Sequence, residues 1–573
     1  MVSTNFVTLS QEEAVRKIMA GEPLKGCFIE NLDLSNQEIP GIATEDCQIG
    51  NLNLSSTTVL GKVCFNHTVF LGQMTLGWKS VFHKTGSAIF QEPVTFQKCV
   101  FQGELRAGGV EFRGMVAFQN GIFQKEVTFR DAVFEEQAFF GSAQFAQLAN
   151  FTSCKFGIEA HFNQAEFIRE ALFDNVQFKQ KEASFNGIHA HERISFLEAR
   201  FEGYASFTKA LIVGEADFKK SHFEQEANFV DAQFKDKVSF RGASFKNKVT
   251  FLHTLFYGLA SFLGTSFHEV NFLNSQFHNE ALFNHDRNTR ASLKEGGTAA
   301  QFYDNSDFTN VRFHKRCVFE EVSFEKSATF ANCYFGEQVT FMGTHFHAPV
   351  SFNNVYCNQE LSAIDASFKE VTFDYANINR RLDLSDASLN SISFYKAALD
   401  LIVVSKSQIR KRLLNEKPNN PQYTRAKEEY LILKESFQQR GLFEEEDWAY
   451  RKFRQTKRKA STQKAWSVIT GKQKGGFFSG LAKLIGNGVE RILVDRGAGY
   501  GTQPLNISIV AIATILLFAS VYAYFPSELV YDHRQCPQFD FSHAIYFSFT
   551  VFTTMGLGDR SEEHTSELQS RQS

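Results

Sequence analysis

The sequence predicts a mainly β solenoid followed by helices, and three features carry the first part. Phe supplies 64 of 573 residues, while Trp supplies 3 and Pro 9. Such a bias points to a periodic slot that one kind of side chain fills. The Phe recur at alternating intervals of five and six, as in Phe118, Phe123, Phe129, Phe134, Phe140 and Phe145, on to Phe178, and again from Phe302 to Phe352. Two residues ahead of most of them stands a small side chain, as at Val127, Ala132, Ala138, Ala143, Ala149, Ala160, Ala165 and Ala171.

The resulting eleven-residue unit, small-x-Phe-x-x-small-x-Phe-x-x-x, also suits a helical hendecad in principle. On a helix, however, the two Phe of a unit point about 140° apart, and so do the two small residues, which leaves no single apolar stripe. In an extended segment, residues i−2 and i share a face. Small residue and Phe then both point inward, the chain bends, and four sides close a coil of about twenty-two residues. Stacked coils pair their backbones at about 4.8 Å.

Taken in order, residues 1–25 read as an N-terminal helical cap. Ser10-Gln11-Glu12-Glu13 is a capping box opening a helix through Met19, ended by Gly21 and Pro23. Residues 26–400 carry the repeat. The pattern breaks at Asn284 to Ala300, expected as a looped-out insertion, and is irregular near Phe185 to Arg193. Leu382-Asp383-Leu384-Ser385-Asp386-Ala387-Ser388-Leu389 and Ile29-Glu30-Asn31-Leu32-Asp33-Leu34 resemble the pentapeptide-repeat family, departing from its simple form by the inserted sixth residue. The resemblance implies a right-handed quadrilateral β-helix.

The solenoid's outward positions mix Lys, Glu, Gln, Asn and His. His189-x-His191 and His345-x-His347 each put two imidazoles on one face, as a metal site needs, but surface histidines beside turns are the favoured reading. No carboxylate pair, Ser/His/Asp set or phosphate loop stands out, so no enzyme and no cofactor is expected. A solenoid of this kind implies an unidentified protein or ligand as partner. The net charge of −3 argues against nucleic acid as that partner. The nine Cys form no C-x-x-C pair, which indicates neither a zinc site nor a disulfide framework.

Residues 401–475 read as a helical connector. Tyr423, Ala426, Tyr430, Leu433 and Phe437 follow a three-four spacing. Gly441 stops this helix, and a second runs from about Glu444 to Lys459. Its basic run, Arg451 to Lys459, is expected to face solvent near anionic lipid headgroups rather than nucleic acid.

Residues 476–559 read as a membrane module. Phe478, Leu481, Ile485, Val489 and Ile492 form an apolar stripe with Lys483 and Arg491 off it, as in a helix lying in the interface. Residues 505–525, Leu505 to Phe525, carry no charge over 21 positions, enough to cross about 30 Å of hydrocarbon. Tyr522, Tyr524 and Phe525 fit an aromatic belt. Basic residues crowd the upstream side, which places residues 1–500 in the cytoplasm, with a bacterial inner membrane as the expected location.

The stretch 541–559, from Phe541-Ser542-His543 to Thr553-Thr554-Met555-Gly556-Leu557-Gly558-Asp559, is similar to the pore loop of potassium channels. The resemblance implies a selectivity filter at Thr554, Met555, Gly556, Leu557 and Gly558, flanked by Asp559, with potassium as permeant ion and four chains around one pore. Filter carbonyls replace an ion's hydration shell, and glycines permit the backbone angles this requires. Met555 and Leu557 stand where the family usually has Val or Ile and Tyr, so cation conduction is a firmer expectation than strict potassium selectivity. Asp495-Arg496-Gly497-Ala498-Gly499-Tyr500-Gly501 looks like the segment before the first pore helix in pentapeptide-repeat channel proteins.

Residues 560–573, beginning Arg560-Ser561-Glu562-Glu563-His564, resemble the translation of a sequencing adapter. The natural sequence is expected to depart from this one near Asp559, and the chain as written lacks the inner helix that a working pore requires. The leading expectation is therefore a fragment of a potassium or cation channel with a cytoplasmic regulatory solenoid. The rivals are a membrane-anchored interaction scaffold and, less favoured, a soluble inhibitor of a DNA-binding enzyme.

Overall fold

The computed structural model describes residues 6–77, 86–284, 299–410, 413–417, 419, 421–471, 475–524 and 541–553. It divides into two units, Met1–Lys417 and Pro418–Ser573.

The first unit is a β-solenoid of about 17 turns. One coil shows how the repeat makes it. Ile122–Phe123, Val127–Thr128, Val133–Phe134 and Ala138–Phe139 are four two-residue strands. Each pairs in parallel with a strand one coil on: Phe123 with Phe145, Val127 with Ala149, Phe134 with Phe156, Ala138 with Ala160. Every step is 22 residues, so the coil has four sides. Val127, Phe129, Ala132 and Phe134 are all buried, as the i−2, i rule requires.

Like residues therefore fall above like. Phe123 stacks on Phe145 at 4.8 Å between ring centroids and 3° between planes. Across the interior, Phe140 meets Phe151 edge-on at 5.3 Å and 82°. Parallel stacks within columns and edge contacts between them place ring edges against ring faces, the favoured arrangement for aromatic quadrupoles.

The alternation of five and six has a structural cause. Each five-residue interval holds a tight turn, as in Ala132 N donating to Phe129 O at 2.8 Å, with Asp131 at φ 60°. Asn120, Ser142, Ser153, Gln164 and Asn175 occupy equivalent left-handed positions. The six-residue intervals turn without this device and use the extra residue.

The irregular stretch is a coil of 23 residues. Gln177 still pairs at a step of 22 with Lys155, whereas Glu182 pairs at 23 with Glu159, so the added residue sits in the corner at 179–181. At the insertion, Phe267 pairs with Phe302, a step of 35. Phe283 nonetheless stacks on Phe319 at 4.4 Å, so the columns resume in register. Residues 285–298 of the expected loop lie outside those described.

Both ends of the solenoid are covered. Helix α1 (Gln11–Met19) is capped by Ser10, whose side chain accepts from Glu13 N, and buries Ala14 and Ile18. After the last paired strand, Ile402–Val403, comes α2 (Lys406–Ile409) with a capping box between Ser405 and Gln408. Gln408 Nε2 donates to Leu384 O at 2.7 Å and to Ala387 O at 2.9 Å, the latter a carbonyl that the backbone of a further coil would otherwise take.

The second unit is helical. α3 (Tyr423–Gln439) and α4 (Phe443–Ile469) form a hairpin through Gly441 at φ 68°. Ala426, Tyr430, Leu433, Phe437 and Ala449 are among its buried side chains, and Trp448 meets Tyr430 edge-on at 5.8 Å. α4 runs ten residues beyond the expected end at Lys459. The basic cluster there suits a helix terminus, but no Gly or Pro follows until Gly471, so the helix continues. α5 (Phe477–Val489) packs on α4 where Gly480 leaves room for Ile469. A π-helical stretch, Glu490–Gly497, and a short turn, Gly499–Gly501, lead into α6 (Pro504–Tyr524), and α7 is Phe541–Phe552.

Candidate functional site

The membrane module is built on α6, which is long and apolar enough to cross a membrane and has 6% of its most apolar window buried. α7 packs against it. Ser548 Oγ donates to Ile515 O at 2.7 Å, and both side chains are buried together with Ala519 and Ala544. Small residues at both positions let the two backbones approach, and a buried hydroxyl bonds a carbonyl where no water competes. Tyr522 meets Phe547 edge-on at 5.0 Å. α7 ends at Thr553, whose Oγ1 donates back to Phe549 O at 2.8 Å. Thr554, Met555, Gly556, Leu557, Gly558 and Asp559 lie outside the described residues, as does Phe525.

Immediately before α6 the chain forms a strap, residues 490–502, held by one face of α4. Arg458 Nη2 pairs with Asp495 Oδ2 at 2.6 Å, the two side chains being 9% and 12% exposed. Its Nη1 donates to the Tyr500 hydroxyl at 2.7 Å. Arg451 donates to Thr502 Oγ1 at 2.6 Å, Gln455 to Asp495 Oδ1 at 2.8 Å, and Arg454 lies over the Tyr500 ring at 5.1 Å. Tyr500 takes φ 56°, ψ 30°, a left-handed conformation for a bulky residue, which the bonds around it sustain.

Burial raises the Asp495 carboxyl, but the hydrogen bonds from Gln455 and Arg458 and the Arg458 charge outweigh it and hold it below the usual carboxylate range. Burial, with Glu490 and Asp495, pushes the Tyr500 phenol up to about 12 against the pull of Arg458, so it stays neutral under the arginine. A recess of about 160 Å³ lined by Leu493, Gly497, Val510, Ala511, Thr514 and Phe552 joins the strap to α6 and the end of α7.

The strap corrects the expectation for part of the basic run: Arg451, Arg454 and Arg458 bind this segment, while Lys457 and Lys459 are exposed. The spacing i, i+3, i+7 was the available signal, since it puts all three on one helix face. The apolar stripe of α5 remains open, with Phe478 82% exposed. His189 lies on a solenoid strand that His191 directly follows, and His345 and His347 lie on one strand.

A solenoid with a repeat period, followed by a helix long and apolar enough to cross a membrane with a short apolar helix against it, suits an ion-channel-like membrane protein with a repeat domain. Family comparison agrees on both parts. The model for pentapeptide repeats (9 copies) matches residues 96–144, 196–244 and 308–355, and that for ion channels matches residues 510–566. The chain thus joins pentapeptide repeats to an ion-channel segment, both of non-enzymatic kinds. Comparisons with curated proteins and with solved structures return no match.

Proposed function

We propose that the chain carries the outer-helix and pore-loop segment of a potassium or other cation channel, with potassium as permeant ion and four copies around one pore. The observation that carries this reading is the buried Ser548–Ile515 bond. It fixes a short helix against a spanning helix directly ahead of Thr554-Met555-Gly556-Leu557-Gly558-Asp559, the order a carbonyl-lined filter needs. Met555 and Leu557 set the filter apart from strict potassium selectivity. Residues 1–500 lie on the cytoplasmic side of a bacterial inner membrane, in keeping with the upstream basic residues.

The solenoid's part is regulatory: a bound protein or ligand biases the pore through α4 and the strap. The strap supports this because the same recess touches Gly497, α6 and Phe552 at the end of the short helix.

A full-length homologue carrying this pore segment, reconstituted in liposomes under a potassium gradient, should pass potassium, and a Gly→Val change at the position matching Gly556 should abolish the flux. No flux under any condition would leave the anchored interaction scaffold as the better reading.

A further inference from the structure

Three potential metal ligands converge on one side of the solenoid. The strand His189–Ala190 stacks on Glu166–Phe167 with His189 directly over Glu166. Ala190 faces inward and is fully buried, so its flanking residues His189 and His191 point outward together. Their rings lie 3.8 Å apart between centroids. His191 Nε2 is 3.0 Å from Glu166 Oε1, with side chains 37% and 33% exposed. One donor atom from each of Glu166, His189 and His191 lies within 4.8 Å of the others, and among the described residues no other group of three does so.

The second dyad serves as an internal comparison. His345 and His347 have the same spacing, yet their rings are 6.2 Å apart, and His347 reaches Glu325 only at 3.9 Å. The difference lies in the neighbouring coil, which supplies a close carboxylate to one dyad and not to the other. Arg169 and Arg193, close in sequence to these residues, pair with Glu192 and Glu170.

We propose that Glu166, His189 and His191 bind one divalent transition metal of the zinc class across two adjacent coils. Two imidazoles and a carboxylate form a donor set that such ions accept, with a fourth position left to water or an incoming ligand. The donors come from different coils, so the site exists only in the wound chain. Bound metal stabilises the solenoid through that linkage. The proposal is independent of the channel reading.

The test is a Zn²⁺ titration of the full chain in detergent, free of any histidine tag, in competition with a chromogenic chelator. Wild type should take up one Zn²⁺ more than the His189→Ala/His191→Ala double variant, and Glu166→Gln should weaken that site about tenfold or more. His345→Ala/His347→Ala should bind as wild type does. Far-UV circular dichroism checks that each variant is folded, and Zn²⁺ should raise the β-unfolding temperature of wild type but not of the double variant. Equal uptake by wild type and the double variant, or none by either, would overturn the proposal and leave His191–Glu166 as an ordinary ion pair.

Discussion

Phe140 touches neighbours in every direction open to it. It stacks on Phe118 at 5.2 Å and Phe162 at 4.8 Å, and meets Phe151 edge-on at 5.3 Å. The adjacent Phe139 points outward, half-buried, and stacks only on His161 at 5.0 Å. Phe140→Ala should therefore cost about 3–5 kcal/mol in urea unfolding of the solenoid, and Phe139→Ala less than about 1 kcal/mol. The inward Phe were legible in the sequence because only one kind of side chain fills the slot. The left-handed corners were not. Asn or Asp fills many of them, as at Asn120, Asp131, Asn175 and Asp231, and Gly others, as at Gly109 and Gly187, the types that tolerate this conformation, but Gln164, Glu198 and Lys209 blur the pattern because the coils above and below impose the turn.

A largely buried ion pair and hydrogen bonds tie α4 to the strap. Arg458 and Asp495 are a largely desolvated pair, so Arg458→Ala strands a buried carboxylate and should cost about 3 kcal/mol in the helical unfolding transition. Asp495 has its pKa lowered in the folded state. Its contribution is thus fully present above the ordinary carboxylate range. It should fade as pH falls below about 4, a dependence that Asp495→Asn should remove. Circular dichroism at acid pH reads both effects. The sequence marked the helix and its basic face, but the partner lies 37 residues downstream in a Gly-rich stretch without periodicity. Nothing local joined Arg458 to Asp495. The helix end was misplaced for a related reason: charge favours a terminus, yet only a residue that breaks the backbone pattern enforces one.

Across the entire chain, the division into a wound β region and an apolar helical region followed from two periods, five-six and then three-four. The filter residues were legible only through resemblance, because their chemistry resides in backbone carbonyls that side-chain patterns do not encode. The Glu166–His189–His191 cluster needed the coil register, since Glu166 is 23 residues from His189 and joins it only when the corner at 179–181 takes an added residue. The wound fold and the metal site both depend on ring columns winding residues ahead of Lys417 as β coils. Amide I infrared spectroscopy of the intact chain measures that most directly. It should show a dominant parallel-β band, with helical absorbance accounting only for the second unit and the short end caps. A spectrum dominated by α-helix would contradict it.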